Sequence, residues 1–198
     1  MYQNLKQTNI NLLESEEKYE RKLTEGKSHL LVRLATNKYK MTCIVENKNI
    51  YMNNLLNFNL INLTYQTNLD QFEKFSLNMI NHDEANVFLL MKHVFKEMGL
   101  KQRYICFDIK KVEIENGISF ILTQNNECGE KMNDCVNAHS MPIKHMLCNF
   151  EVVSPHKLII TEYINFDPEN GMPSILEPVF GLILKTMFKR TKQFIEAI

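Results

Sequence analysis

Glycine is scarce in this sequence and never clustered: six residues, each standing alone. No loop can therefore cradle a phosphate with successive glycine-freed N–H groups, as P-loop and Rossmann sites do. Neither G-x-S-x-G nor H-E-x-x-H occurs, which removes the nucleophile-elbow hydrolases and the zincin metalloproteases. No apolar run approaches the roughly 20 residues a bilayer-spanning helix needs. Charge of one sign is not in excess, with 23 basic and 23 acidic residues. No whole-molecule field draws in nucleic acid or anionic membrane, and such binding needs a local patch. The five cysteines are odd in number and irregularly spaced, which argues against a secreted disulfide framework and for reduced thiols. The first residues, MYQNLKQTNINLLESEEKYERK, lack the apolar centre of a secretory signal and the acid-poor character of a transit peptide. The expectation is a soluble, cytoplasmic protein.

What is present is ordinary globular text. The 198 residues are 44% apolar and 23% charged, enough for one domain, or one domain with an extension. Residues 14–25, ESEEKYERKLTE, read as a short charged helix with a solvated face that ends at Gly26. HLLVRLA (29–35) and YKMTCIVE (39–46) have strand composition, and Asn37 between them suits a hairpin turn. LLNFNLINLTYQTN (55–68) alternates with one slip and reads as a strand, after which Asn68 or Asp70 can cap a helix. Leu69 to Gly99 read as two helices. Leu69, Phe72, Phe75, Leu77 and Ile80 form the stripe of the first, and Ala85, Phe88, Leu89, Val94, Phe95 and Met98 that of the second.

From there the period becomes two. Ile105, Phe107 and Ile109 alternate, Asn116-Gly117 is the strongest hairpin signal in the chain, and Ile118, Phe120 and Leu122 return. Residues 123–142 read as a polar, sulfur-bearing loop. Met146, Cys148, Phe150 and Val152 alternate before a Ser154-Pro155-His156 turn, and Leu158, Ile160, Glu162, Ile164 and Phe166 alternate after it. DPENG breaks the sheet, and PSILEPVFGLILKTMFKRTKQFIEAI is the clearest helix. Ser174 can cap it, with Glu177 three residues on, and Pro178 sits in the first turn where a missing N–H costs least. Leu176, Phe180, Ile183, Met187, Phe194 and Ile198 mark its apolar face.

This element order, with DPENGMP running straight into the terminal helix, resembles the START-like helix-grip superfamily, which includes polyketide cyclase-like proteins and lipid-transfer domains. The resemblance covers residues 55–198 by element order. It implies an α+β helix-grip fold: a curved antiparallel sheet around a long C-terminal helix, with two short helices after the domain's first strand. Residues 1–54 would be an N-terminal extension. The superfamily has no diagnostic catalytic signature, so no motif residue is carried over.

A bent sheet cannot pack flat on a helix, and a space between them favours apolar guests at roughly 25 cal/mol per Å² buried. On this reading Phe107, Ile109, Phe120, Leu122, Met146, Cys148, Phe150, Ile160, Glu162, Phe180, Ile183 and Met187 line the ligand site. The eleven methionines suit irregular guests, and equally suit gap-filling in a solid core. Glu162 is the one weak catalytic candidate. If its face turns inward, desolvation raises its pKa and lets it orient a polar head or act as an acid. If Ile159, Thr161 and Tyr163 turn inward instead, Glu162 is wet, and the rarity of unpaired buried charge favours this second orientation. Tyr104 and Asp108 pose the same question.

Cys128, Cys135, His139, His145 and Cys148 have zinc-ligand chemistry. Their spacing matches no finger or ribbon, and a strand through His145 and Cys148 would point them to opposite faces, so no metal and no cofactor is expected. Lys185, Lys189, Arg190 and Lys192 read as a solvated helix end rather than a nucleic-acid patch. The function expected is non-enzymatic binding, and transfer, of an apolar, lipid-like molecule, with transient membrane contact in delivery. The alternatives are a cyclase or hydratase in the same cavity, using Glu162 with Tyr104 or His145, and an interaction module without a ligand.

Overall fold

The computed structural model describes residues 18–93, 96–125, 138–169 and 176–198. Its strands are β1 (Arg21–Gly26), β2 (His29–Ala35), β3 (Lys38–Glu46), β4 (Phe72–Met79), β5 (Glu84–Met91), β6 (Gln102–Ile114), β7 (Gly117–Gln124), β8 (Ala138–Ser140), β9 (Ile143–Ser154) and β10 (Lys157–Phe166). Two α-helices are described, α1 (Phe58–Gln66) and α2 (Glu177–Ala197), with 3-10 turns at Met52–Leu55, Leu69–Gln71 and Lys96–Met98. The strands form one curved open sheet in the order β1-β2-β3-β10-β9-β7-β6-β5-β4, with β8 pairing parallel to β6. The sheet crosses the expected boundary at residues 54 and 55: β3 pairs with β10 from Glu46↔Lys157 to Lys38↔Asn165.

The hairpins read from sequence are in place. Asn37 turns β2 into β3 with φ of 62°, a left-handed conformation that asparagine tolerates. Gly117 opens β7, but its need for glycine is not conformational. A Cβ there would lie 1.8 Å from the Phe150 carbonyl oxygen on the neighbouring β9.

Three segments differ from expectation. The charged run expected to be helical is, from Arg21, the edge strand β1. It pairs with β2, and the pairing supplies the hydrogen bonds a lone charged helix would have to make for itself. Residues 58–66, expected as a strand, form α1. Asn57 is its N-cap, its side chain accepting from the Asn59 N–H at 2.8 Å, and the caps and packing override the alternation. Residues 72–91, expected within two helices, form the β4–β5 hairpin. The near-continuous apolar run of β5 is buried on both faces: Val87 and Leu89 in the main core, Phe88 and Leu90 in a smaller cluster on the opposite side. The short helices thus precede this hairpin. Val94 and Phe95, and the Ser174 cap, lie outside the described residues. Cys106, expected to be reduced, is disulfide-bonded, while Cys43 and Cys148 are free thiols.

Polar clamps at both ends and the middle hold α2 on the concave side of the sheet. At its start, Glu177 is 2% exposed and accepts hydrogen bonds from Arg21, from Arg33 at 2.9 Å and from the Tyr39 hydroxyl at 2.7 Å. At mid-helix, Asn68 donates to the Met187 carbonyl at 3.3 Å. At its end, buried Asn47 donates to the Ile195 carbonyl at 2.6 Å, satisfying an acceptor in the last turn that lacks a helical donor. The buried face of α2 carries Phe180, Leu184, Thr191 and Ile195. Phe194 and Ile198, expected on that face, are exposed, because the stripe has rotated to Ile195 by the last turns. Of the basic cluster, Arg190 pairs with Asp70 and Lys192 with Glu196.

Candidate functional site

The concave face of the sheet and α2 do not meet everywhere. Between them lies a pocket of about 110 Å³, far more room than a single water fills. Strand periodicity supplies its floor. On β10, Ile160, Glu162 and Ile164 share one face, and on β9 Met146, Cys148 and Phe150 oppose them in register. Leu122 and Phe107 extend the wall along β7 and β6, and Phe180, Ile183 and Met187 of α2 form the roof.

Ile109 and Phe120, expected on the wall, lie in the packed core instead. Phe120 is held there between the rings of Phe58 and Phe150, at 5.0 and 5.5 Å. Sequence reasoning missed one whole side of the pocket: Ile61, Thr64 and Tyr65 from α1, Phe72 from β4, and Leu89 and Met91 from β5. These residues fall in the segments whose secondary structure was misread. Asn57 standing two residues before a polar Asn59, ahead of FNLINLTYQ, was the available signal for α1.

Glu162 faces inward, opposite to the orientation that the rarity of buried charge favours, and is 7% exposed. The face is set by the β10 register: Leu158, Ile160, Ile164 and Phe166 are all buried on this side, and turning Glu162 out would expose them. Its Oε1 accepts the Cys148 thiol at 3.4 Å. Its Oε2 is buried with no hydrogen-bond partner. Burial pushes the carboxyl up to about 7, and the thiol hydrogen bond draws it partly back. Burial also raises the Cys148 thiol well above its ordinary value, as does the neighbouring carboxyl. The Tyr65 phenol is raised by burial and then by Glu162. All three therefore favour their uncharged forms in the same apolar enclosure.

The other polar candidates do not converge here. Tyr104 stacks on Phe88, 6.2 Å between centroids, in the cluster on the opposite side of the sheet. His145 is exposed, with Nε2 2.7 Å from the Asn165 amide nitrogen. Asp108 is exposed and accepts from Asn125 at 2.8 Å. Of the sulfur and imidazole cluster, Cys128 and Cys135 lie outside the described residues. Among the described residues no group of three or more His, Cys, Asp or Glu is placed to hold a metal.

The architecture is a START-like helix-grip fold, a curved antiparallel sheet with a long C-terminal helix laid against it. Its likeness to solved structures spans the whole chain. The human StarD13 lipid transfer and protein localization domain superposes with a TM-score of 0.68 at 9% identity, over 100% of this chain and 97% of that one. Human StAR-related lipid transfer protein 5 gives 0.62 at 12% identity, over 98% and 94%. A StAR-related lipid transfer protein fragment from Xanthomonas axonopodis gives 0.60 at 10% identity, over 87% and 98%. No family model matches the sequence, and neither does any curated protein. At these identities the likeness is one of fold. Among the described residues, no helix is long and apolar enough to cross a membrane.

Proposed function

We propose that this protein binds an apolar small molecule in the space between its curved sheet and its C-terminal helix, and carries it without chemical change. One observation carries this reading: among the described residues the wall is apolar almost throughout, with Glu162 its only carboxylate and no lysine or arginine on it. Apolar walls around an unfilled volume favour a guest over water, because water there finds few hydrogen-bond partners. The solved neighbours named for lipid transfer support the lipid-like character of the guest. In the present state the volume suits a short alkyl chain or a single ring. Met91, Met141, Met146 and Met187 on the wall can re-rotate at low cost to admit a longer body.

Neither Tyr104 nor His145, the partners that the catalytic alternative calls for, stands beside Glu162. The test of the binding reading is native mass spectrometry of freshly purified protein, with thermal shift against a series of apolar compounds. The expected result is an adduct of a small organic molecule, or a rise in Tm with an apolar guest. A clean unliganded mass together with no stabilisation by any of them would remove the proposal.

A further inference from the structure

Within that reading, we infer that the guest carries a basic amine at one end of its apolar body and docks it as an ammonium on the free oxygen of Glu162. The inference rests on the apolar-guest reading and names the class of guest.

Oε2 of Glu162 is buried and unpartnered, and the group faces the pocket. A buried carboxyl in a protein normally meets an arginine, a lysine or several N–H donors. Here, among the described residues, the sole donor is a thiol, among the weakest available. The other wall hydroxyls of the two helices are engaged locally, Thr64 with the Leu60 carbonyl at 2.9 Å and Thr191 with that of Met187 at 3.0 Å. A guest bearing only a hydroxyl would be served as well by serine or glutamine. A carboxyl adds one thing to those, a negative charge, and only a cationic guest makes use of it.

The same geometry rejects anions. Among the described residues no cation on the wall could neutralise a phosphate or a carboxylate head, and Glu162 would repel it. An ammonium entering the pocket supplies the missing countercharge where low polarity strengthens the pair.

Proton linkage gives the inference a signature. The groups facing Glu162 are Cys148 from β9 and Tyr65 from α1, both held uncharged near neutrality. Met41 is its register partner on β3, and Met187 and Thr191 on α2 carry no charge. Glu162, which titrates at about 7, therefore dominates. Binding an ammonium requires the carboxylate, so below pH ~7 one proton must leave, and affinity falls about tenfold per pH unit. An alcohol of equal length needs no such proton release.

The experiment is isothermal titration of the full chain with octylamine, 1-octanol and octanoate at pH 6 and pH 8, for wild type and Glu162→Gln, with circular dichroism to check folding. The expected result is that octylamine binds at least tenfold tighter than octanol at pH 8, that its advantage shrinks about tenfold at pH 6, and that octanoate binds weakest. In Glu162→Gln the amine should lose its advantage over octanol at both pH values. Equal binding of amine and alcohol, or an amine affinity unmoved by pH or by Glu162→Gln, overturns the inference and leaves the apolar-guest reading standing. If none of the three binds wild type, both fall.

Discussion

Glu162 on β10 and Cys148 on β9 are directly paired across the ladder, and the thiol donates to the carboxyl at 3.4 Å inside an otherwise apolar wall. The pairing fixes where the carboxyl sits and supplies only a weak donor to satisfy it.

A pH dependence of stability follows. The folded carboxyl titrates at about 7 against an ordinary 4.5, so folding favours the protonated form. The sign is that of a raised pKa: the contribution is full below about pH 4.5, declines as pH rises to about 7, and levels off above. The integrated effect is on the order of 3 kcal/mol for a shift of this size in a buried group. Urea denaturation at pH 5 and pH 8 should show wild type losing about 2.5 kcal/mol relative to Glu162→Gln over the interval. Parallel curves for the two proteins would contradict it.

The Glu177 clamp makes a second prediction. Glu177→Ala strands Tyr39 in the core without its acceptor and removes the carboxylate that Arg33 and Arg21 share. Arg21 is more than half exposed, so its contribution is small, and the expected loss is about 2–3 kcal/mol. Tyr39→Phe removes one hydrogen bond and should cost about 1 kcal/mol. Chemical denaturation ranks the two, and a larger loss for Tyr39→Phe would contradict the assignment.

Gly117→Ala tests close approach against turn geometry. The added methyl meets the Phe150 backbone oxygen, which cannot rotate away, so β7 and β9 must separate locally at a cost of about 2 kcal/mol or more. Gly99, with φ of 71° and open space around it, is a backbone-only control, for which Gly99→Ala should cost about 1 kcal/mol.

Filling the pocket separates binding from folding. Met187→Trp places an indole in the roof of a volume that already exists. The expected outcome is loss of at least tenfold in affinity for any apolar guest, with Tm unchanged or raised. Retained affinity would place the guest elsewhere.

Thiol reactivity reports on the same interior. Burial holds the Cys43 thiol up to about 12 and keeps Cys148 well above its ordinary value, and reaction with a disulfide reagent needs the thiolate. Both should label slowly in the native protein at pH 8 and promptly in urea, with mass spectrometry locating the label. Prompt native labelling of Cys148 would mean that the pocket opens widely.

The local code was strong where one face of a hairpin packs and the other is less buried. The alternation on β6, β9 and β10, the turns at Asn37, Asn116 and Pro155, and α2 with Pro178 in its first turn all stand in the sequence itself. That is because period-2 text with turn residues, and a long stripe at helical spacing, each stabilise one local conformation. Tertiary structure decided the rest. β5 is apolar on both faces because the sheet is covered on both sides there, so its text carries no period. α1 is a nine-residue helix, too short to persist unaided, and forms because Phe58, Leu60 and Ile61 bury against the sheet. The orientation of Glu162 was invisible to any local rule. The registers of β3, β9 and β10 decide which side of β10 faces α2, and a pairing made between distant parts of the chain set a carboxyl inside an apolar wall.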